Sequence, residues 1–438
     1  PALPTYNIPA VLRLTGDLDV AALRQAVIDT VERHEVLRTT FPIADGLPYQ
    51  RIDDIALFDS RGVWQTVDTD DDLFAAVASG FDVTSGWPIR VALRASVSGD
   101  YLLGVVLHHI GADGESMLPL VTDIVTAYTA RAQGDSPQWT PLEVQFADFA
   151  IWQHEALGSV DDAESVTARQ LGYWREQLAG LPDVLELPAD RPRPQVASYR
   201  GADLEFAIPA DIADGVSRVA SSRDVTPFMV VHAAFAALLA RMAATNDIAV
   251  ATPVAGRGQA VLDPLVGMFV NTLVLRTAIE SSMSFAQLLD RVRVDDLDAF
   301  DHADVPFESV VEAIDPVRSE AFAPLAQVML SFDPGASVAG AQVSLAGLEI
   351  AAVEPPLVAA QLDLRMVVAS ADAGNPWSGA VTYATDLFDE STVGDLADRF
   401  VRLLGALVAD PAVSIGDAPL LDPAERTGLV DQIGRAHV

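Results

Sequence analysis

Residues 101–107, Tyr-Leu-Leu-Gly-Val-Val-Leu, are apolar throughout and stop at two adjacent histidines, His108 and His109. A run this short, without strict alternation, points to a central strand buried on both faces. A helical pattern follows from about Ser116, with Met117, Leu120, Val121, Ile124, Val125 and Tyr128 on one side. Upstream, residues 88–96 alternate Ile89, Val91 and Leu93 like a half-buried strand. Residues 11–16 read as another strand, followed by Asp19 as a helix cap and a stripe of Leu23, Val27 and Val31. Strands feeding helices that carry one apolar face require helices layered on a sheet, an α/β class.

The second half repeats this texture. Residues 202–208 alternate, Thr226 and Pro227 signal a helix start, and the apolar helix that follows leads into a strand at 247–254. A helix is expected around 284–300, strands near 326–333, 347–353, 361–370 and 378–385, and a closing helix from Ser391 to about Ala409. At 438 residues two lobes are expected, because one hydrophobic core stops growing well below that length. The prolines in LELPADRPRPQ, spaced by charges, break both helix and central strand, which places the boundary near residue 190 and gives lobes 1–190 and 191–438.

Composition removes several chemistries. The chain has no cysteine, so disulfides, thiolate nucleophiles and cysteine metal sites are excluded. All 27 basic residues are arginine, which excludes lysine Schiff bases and a P-loop lysine. A net charge of −35 disfavours nucleic acid and anionic membranes as partners. No apolar run reaches the roughly 20 residues needed to span a bilayer, and no secretory signal is recognisable, so a soluble, cytoplasmic protein is expected.

The chemistry-bearing feature is His108-His109-Ile-Gly-Ala-Asp113-Gly114, where the central strand ends and a helix begins. Strand side chains alternate, so the two histidines face opposite ways and only one can address a given cavity. His108 is then expected to be buried and hydrogen-bonded. The same opposition argues against joint metal ligation, and no metal is expected. Asp113 either caps the following helix or pairs with a buried arginine. Gly114 permits backbone conformations closed to most residues and close approach of a ligand, and its amide is a candidate oxyanion donor.

This segment resembles the HHxxxDG motif of nonribosomal peptide synthetase condensation domains, relatives of chloramphenicol acetyltransferase. Four further segments agree in order: Arg33-His34-Glu35-Val36-Leu37-Arg38-Thr39-Thr40-Phe41 with RHExLRTxF, Phe146-Ala147-Asp148-Phe149-Ala150-Ile151-Trp152 with YxDFAxW, Val266-Gly267-Met268-Phe269-Val270-Asn271-Thr272 through Arg276 with VGxFVNTxxxR, and His302-Ala303-Asp304-Val305-Pro306-Phe307-Glu308 with HQDVPFE. Glu115-Ser116 stands where many relatives have tryptophan and serine.

The resemblance implies two chloramphenicol-acetyltransferase-like lobes forming a V-shaped pseudodimer with a central tunnel. It also implies acyl transfer from a donor thioester to an acceptor amine, both on phosphopantetheine arms of peptidyl carrier proteins, with no cofactor of its own. His109 would act at the reacting amine, with His108, Asp113 and Gly114 completing the motif. Arg33 or Arg38 would pair with Asp113, and Asn271 with Thr272 would line the lobe junction or serve structure alone. Phe149 and Trp152 are expected in the core. The ending LLDPAERTGLVDQ resembles a linker to an adenylation domain, so a monomeric piece of a larger synthetase is expected.

Overall fold

A computed structural model describes residues 4–96, 99–333, 343–345, 348–353, 358–422, 425 and 427. The stretch read as a linker lies for the most part outside the described residues. The chain divides into two compact units, the first comprising Pro1–Gly158, Ala255–Val270 and Val338–Leu357, the second Ser159–Val254, Asn271–Ser337 and Val358–Val438.

The first unit is built on a six-stranded sheet ordered Val343–Leu345, Leu348–Val353, Asn7–Thr15, Tyr101–His108, Ile89–Ala95, Trp64–Val67. Tyr101–His108 pairs antiparallel with both Asn7–Thr15 and Ile89–Ala95, so its backbone is satisfied on both edges. Its side chains separate by parity into two cores. Leu103 and Leu107 pack with Leu23, Val27 and Val31 of the helix Val20–Arg33 and with Leu120 and Ala127 of the helix Met117–Ala132. Leu102 and Val106 pack with Leu73, Val77 and Phe81 on the other face, under the helix Asp70–Ala78. The apolar run is therefore buried on both sides because each face has its own helix layer. Asp19 caps the first helix by accepting the Ala22 amide at 2.9 Å.

The second unit carries a seven-stranded mixed sheet ordered Asn271–Ala278, Asp247–Val254, Val328–Asp333, Leu364–Ala369, Trp377–Ala384, Arg200–Ile208, Val358–Ala359. The helix Pro227–Met242, capped by Thr226, is buried almost all round, which explains its unbroken apolar sequence. Among the described residues no single helix is long and apolar enough to cross a membrane.

The boundary differs from the expected position. Residues 159–190 belong to the second unit, where Leu171, Trp174 and Leu178 pack with Leu273, Val274 and Leu275. The proline-rich segment that suggested the lobe boundary is anchored. Asp190 accepts the Asp389 amide at 2.7 Å at the start of the helix Glu390–Ala409, and Arg193 pairs with Asp363. Proline spacing reports the lack of regular structure, and here that irregular chain is held by its charges.

Candidate active site

All contacts at the histidine pair described below lie within the first unit. His108 ends the strand on the side of Leu102 and Val106, half-buried, with its ring 5.9 Å edge-on from Phe81 and 6.0 Å from Tyr6. Its Nδ1 accepts the Ile110 amide at 3.0 Å, so the neutral ring carries its proton on Nε2. Burial, and secondarily the neighbouring His109, push its pKa below the ordinary imidazole value. His109 is the first residue past the strand and is half-buried, and its amide still donates to the Tyr6 carbonyl at 2.8 Å.

Asp113 is buried, and its carboxylate accepts five donors. Oδ1 takes the Ser116 amide at 2.9 Å, the Ser116 hydroxyl at 2.6 Å and Arg257 Nη2 at 3.2 Å, while Oδ2 takes the amides of Phe269 at 2.9 Å and Val270 at 3.2 Å. Of the two options weighed for this residue the arginine pairing holds, while the carboxylate closes the turn before the helix Met117–Ala132 and does not cap that helix. That arginine is Arg257, which is neither Arg33 nor Arg38. Arg257 also donates to the carbonyls of Leu262 and Leu265 and lies over the Phe269 ring at 4.2 Å, with Glu115 as a second carboxylate at 3.3 Å.

Arg33 instead pairs with Asp123 at 2.8 Å and lies over Trp139, and Arg38 donates to the Asp53 carbonyl and to Glu35. The family resemblance pointed to the wrong arginines, and Arg257 reaches Asp113 from 144 residues away in the chain. Its only signal was a lone basic residue flanked by Gly256 and Gly258. His34, from the same motif as Arg33, was not among the expected site residues. It is buried, its Nε2 lies 2.8 Å from Asp123, and its Nδ1 accepts the Val266 amide at 3.4 Å. Burial lowers its pKa, outweighing the hydrogen bond to Asp123.

Residues 255–270 form a strap that leaves the second unit's sheet after Asp247–Val254 and re-enters it at Asn271–Ala278. Its amides at 266, 267, 269 and 270 are taken by His34, Ser116 and Asp113. Two glycines make this fit possible. A Cβ on Gly256 would sit 2.0 Å from the Phe269 carbonyl oxygen, and one on Gly267 would sit 2.3 Å from the Phe146 ring. Phe146 and Phe149 close the cluster against Phe269, while Trp152 on the same helix is 52% exposed and so is not core.

Gly114 contradicts its expected conformational role, because its φ is not among the positive values. It is exposed, and a Cβ there would meet nothing within 4 Å. Asn271 belongs to the second unit, where its amide nitrogen donates to the Ala303 and Val305 carbonyls and its oxygen accepts from Phe307. It therefore fastens the 303–307 loop. Among the described residues no group of three or more potential ligands is placed to hold a metal.

The model of the condensation domain family matches residues 2–430. The chain belongs to the condensation domain family. It is 44% identical over 98% of its length to a protein of Salinispora arenicola described as a probable non-canonical nonribosomal peptide synthetase, CymA, spanning 6% of that protein. It is 42% identical over 98% of its length to a dimodular nonribosomal peptide synthase of Bacillus subtilis, spanning 18% of it. Among solved structures, the X-domain from teicoplanin biosynthesis shares 32% identity, with a TM-score of 0.86 over 96% of this chain and 94% of that one. The first condensation domain of the calcium-dependent antibiotic synthetase, at 22% identity and a TM-score of 0.72 over 96% and 95% of the two chains, shares the fold.

Proposed function

We propose that this condensation domain joins a donor aminoacyl or peptidyl thioester to the amine of an acceptor aminoacyl group, each tethered to a peptidyl carrier protein. The observation that carries this reading is the intact histidine pair on a turn whose far end is fixed by the buried Asp113. The amine nitrogen attacks the thioester carbon, the C–N bond forms, the C–S bond breaks, and the amine proton passes to His109 and on to the departing thiolate. An α-ammonium near pKa 8 against an imidazole near 6.5 makes direct transfer uphill by only about 2 kcal/mol, so basicity supplies little of the rate. Alignment supplies more, up to roughly 7–11 kcal/mol in the best intramolecular systems. His109 thus orients the amine and accepts its proton, and the exposed Gly114 amide faces the developing oxyanion. Carrier proteins and an adjacent adenylation domain are the proposed partners, with the domain itself working as a cytoplasmic monomer and supplying no cofactor.

The test is condensation between loaded carriers, followed by mass spectrometry of the product. Wild-type rates from His109→Ala overturn the assignment, and product from a free acceptor alone points to an acyltransferase without an acceptor carrier. A second reading, a domain that docks another enzyme, draws on the X-domain likeness, since one such structure is a complex with OxyB at 31% identity and a TM-score of 0.87. Absence of any amide product together with capture of a partner enzyme decides for it.

A further inference from the structure

Ser116 lies two residues past the histidine motif and is completely buried. Its hydroxyl sits at the meeting point of the turn, the arginine and the strap. It receives the Asp113 amide at 3.2 Å, Arg257 Nη2 at 2.9 Å and the Gly267 amide at 3.1 Å. It lies within donating distance of two acceptors, Asp113 Oδ1 at 2.6 Å and the Gly267 carbonyl at 2.8 Å. A hydroxyl has one proton and two lone pairs, so these five neighbours exceed what it satisfies at once. Such a group is more than a helix cap, because it shares one atom between the turn that ends the central strand and the strap.

The near end of the turn is already fixed by the strand, where the His108 amide meets the Pro88 carbonyl and the His109 amide meets the Tyr6 carbonyl. The far end has no strand to hold it and rests on Asp113 and Ser116. We infer that Ser116 is a positioning residue for the condensation reaction, setting the placement of His109 by locking the far end of its turn to Gly267 of the strap. This rests on the functional reading above. Among the described residues no other side chain bonds at once to Asp113, Arg257 and both backbone polar groups of one strap residue.

The experiment compares Ser116→Ala, Ser116→Cys and Ser116→Thr in the whole chain. The Cys variant nearly conserves volume and replaces the hydroxyl by a weak hydrogen-bonding group, and the Thr variant retains the hydroxyl. Two readouts are taken at a temperature where each protein is folded: steady-state condensation between loaded carriers, and the 13C-labelled His109 Cε1 signal, assigned by its loss in His109→Gln. Displacing a reacting group by about 1 Å costs on the order of 100-fold, so kcat should fall at least about tenfold in the Ala and Cys variants with KM within about twofold. The His109 signal should move with it, and Thr should recover rate relative to Cys. If a folded Ala or Cys variant keeps wild-type kcat, or if its His109 signal stays in place, the inference is overturned. Should Ser116→Ala not fold, Ser116→Cys decides alone. If wild-type protein makes no amide, the functional reading fails, and the His109 signal still judges whether Ser116 sets that turn.

Discussion

Replacing Arg257 by alanine tests the reassigned partner of Asp113. Both side chains are nearly inaccessible, at 6% for Arg257 and 4% for Asp113, so the pair is not a surface ion pair of little worth. Removing one member of a buried pair leaves the other's charge uncompensated, at a cost of about 3–5 kcal/mol. The loss here falls in that range, because the substitution also strips donors from the Leu262 and Leu265 carbonyls and removes the cation over Phe269. Hydrogen exchange read by mass spectrometry separates the two units. Amides of Tyr101–His108 should lose roughly two to three and a half orders of magnitude of protection, while those of Leu364–Ala369 change little. In an Asp113→Asn background the same substitution should cost about 1–3 kcal/mol less, the coupling expected of groups in contact. Arg33→Ala should be milder at this turn, since Arg33 meets Asp123 rather than Asp113 and Asp123 keeps its contact with His34 at 2.8 Å. Protection within about threefold of wild type in Arg257→Ala, or a larger loss at the turn in Arg33→Ala, would refute the reasoning.

Three other outcomes follow from the same contacts. Gly256→Ala and Gly267→Ala should destabilise the first unit strongly, whereas Gly114→Ala, with open space for its Cβ, should stay within about 0.5 kcal/mol in stability, as thermal midpoints read. Because alanine keeps the amide N–H, its condensation rate should also stay near wild type, and a large loss would show that the Cβ blocks the ligand's approach to that amide. Asn271→Ala should cost about 1–3 kcal/mol locally, seen as faster exchange in residues 302–310 with the Tyr101–His108 strand unaffected. His34, lowered from 6.5, binds a proton more weakly folded than unfolded, so its contribution is complete above about pH 6.5 and is lost as pH falls from there toward the folded value. Denaturation midpoints from pH 8 to 5 should therefore drop less steeply in His34→Gln, and an unchanged slope would show that His34 does not titrate in that window.

The secondary elements were legible because periodicity is local. The stripe Leu23, Val27, Val31 and the alternation Ile89, Val91, Leu93 each lie on the face they pack with. The structure places Leu102 and Val106 under one helix layer and Leu103 and Leu107 under another, and nothing in the apolar run itself said which helix covered which row. What stayed hidden was long-range. A buried Asp113 demands donors, but no spacing rule selects one arginine among 27. The strap was unreadable for the same reason, since a segment without periodicity declares only that its amides are satisfied somewhere other than a helix or sheet. Asp190, Arg193 and Asp363 illustrate the converse error, because a charged proline-rich stretch reads as a boundary between lobes whether or not its charges find partners.

The polar density around Asp113 acquires a reason from the chemistry. If imidazole basicity offered a large rate gain, a histidine merely present near the amine would suffice, and the backbone behind it would be free to vary. The pKa comparison leaves that gain small, so most of the acceleration must come from where the ring is held. The strand end fixes the His109 backbone at the near side of its turn. Fixing the other side calls for strong, directional and water-excluded contacts, which apolar packing does not provide. A carboxylate accepting five donors, with a hydroxyl beside it tied to the same strap, meets that demand. The burial of charge in this turn is therefore better understood as the cost of holding a weak base in a fixed place than as a source of stability for the fold.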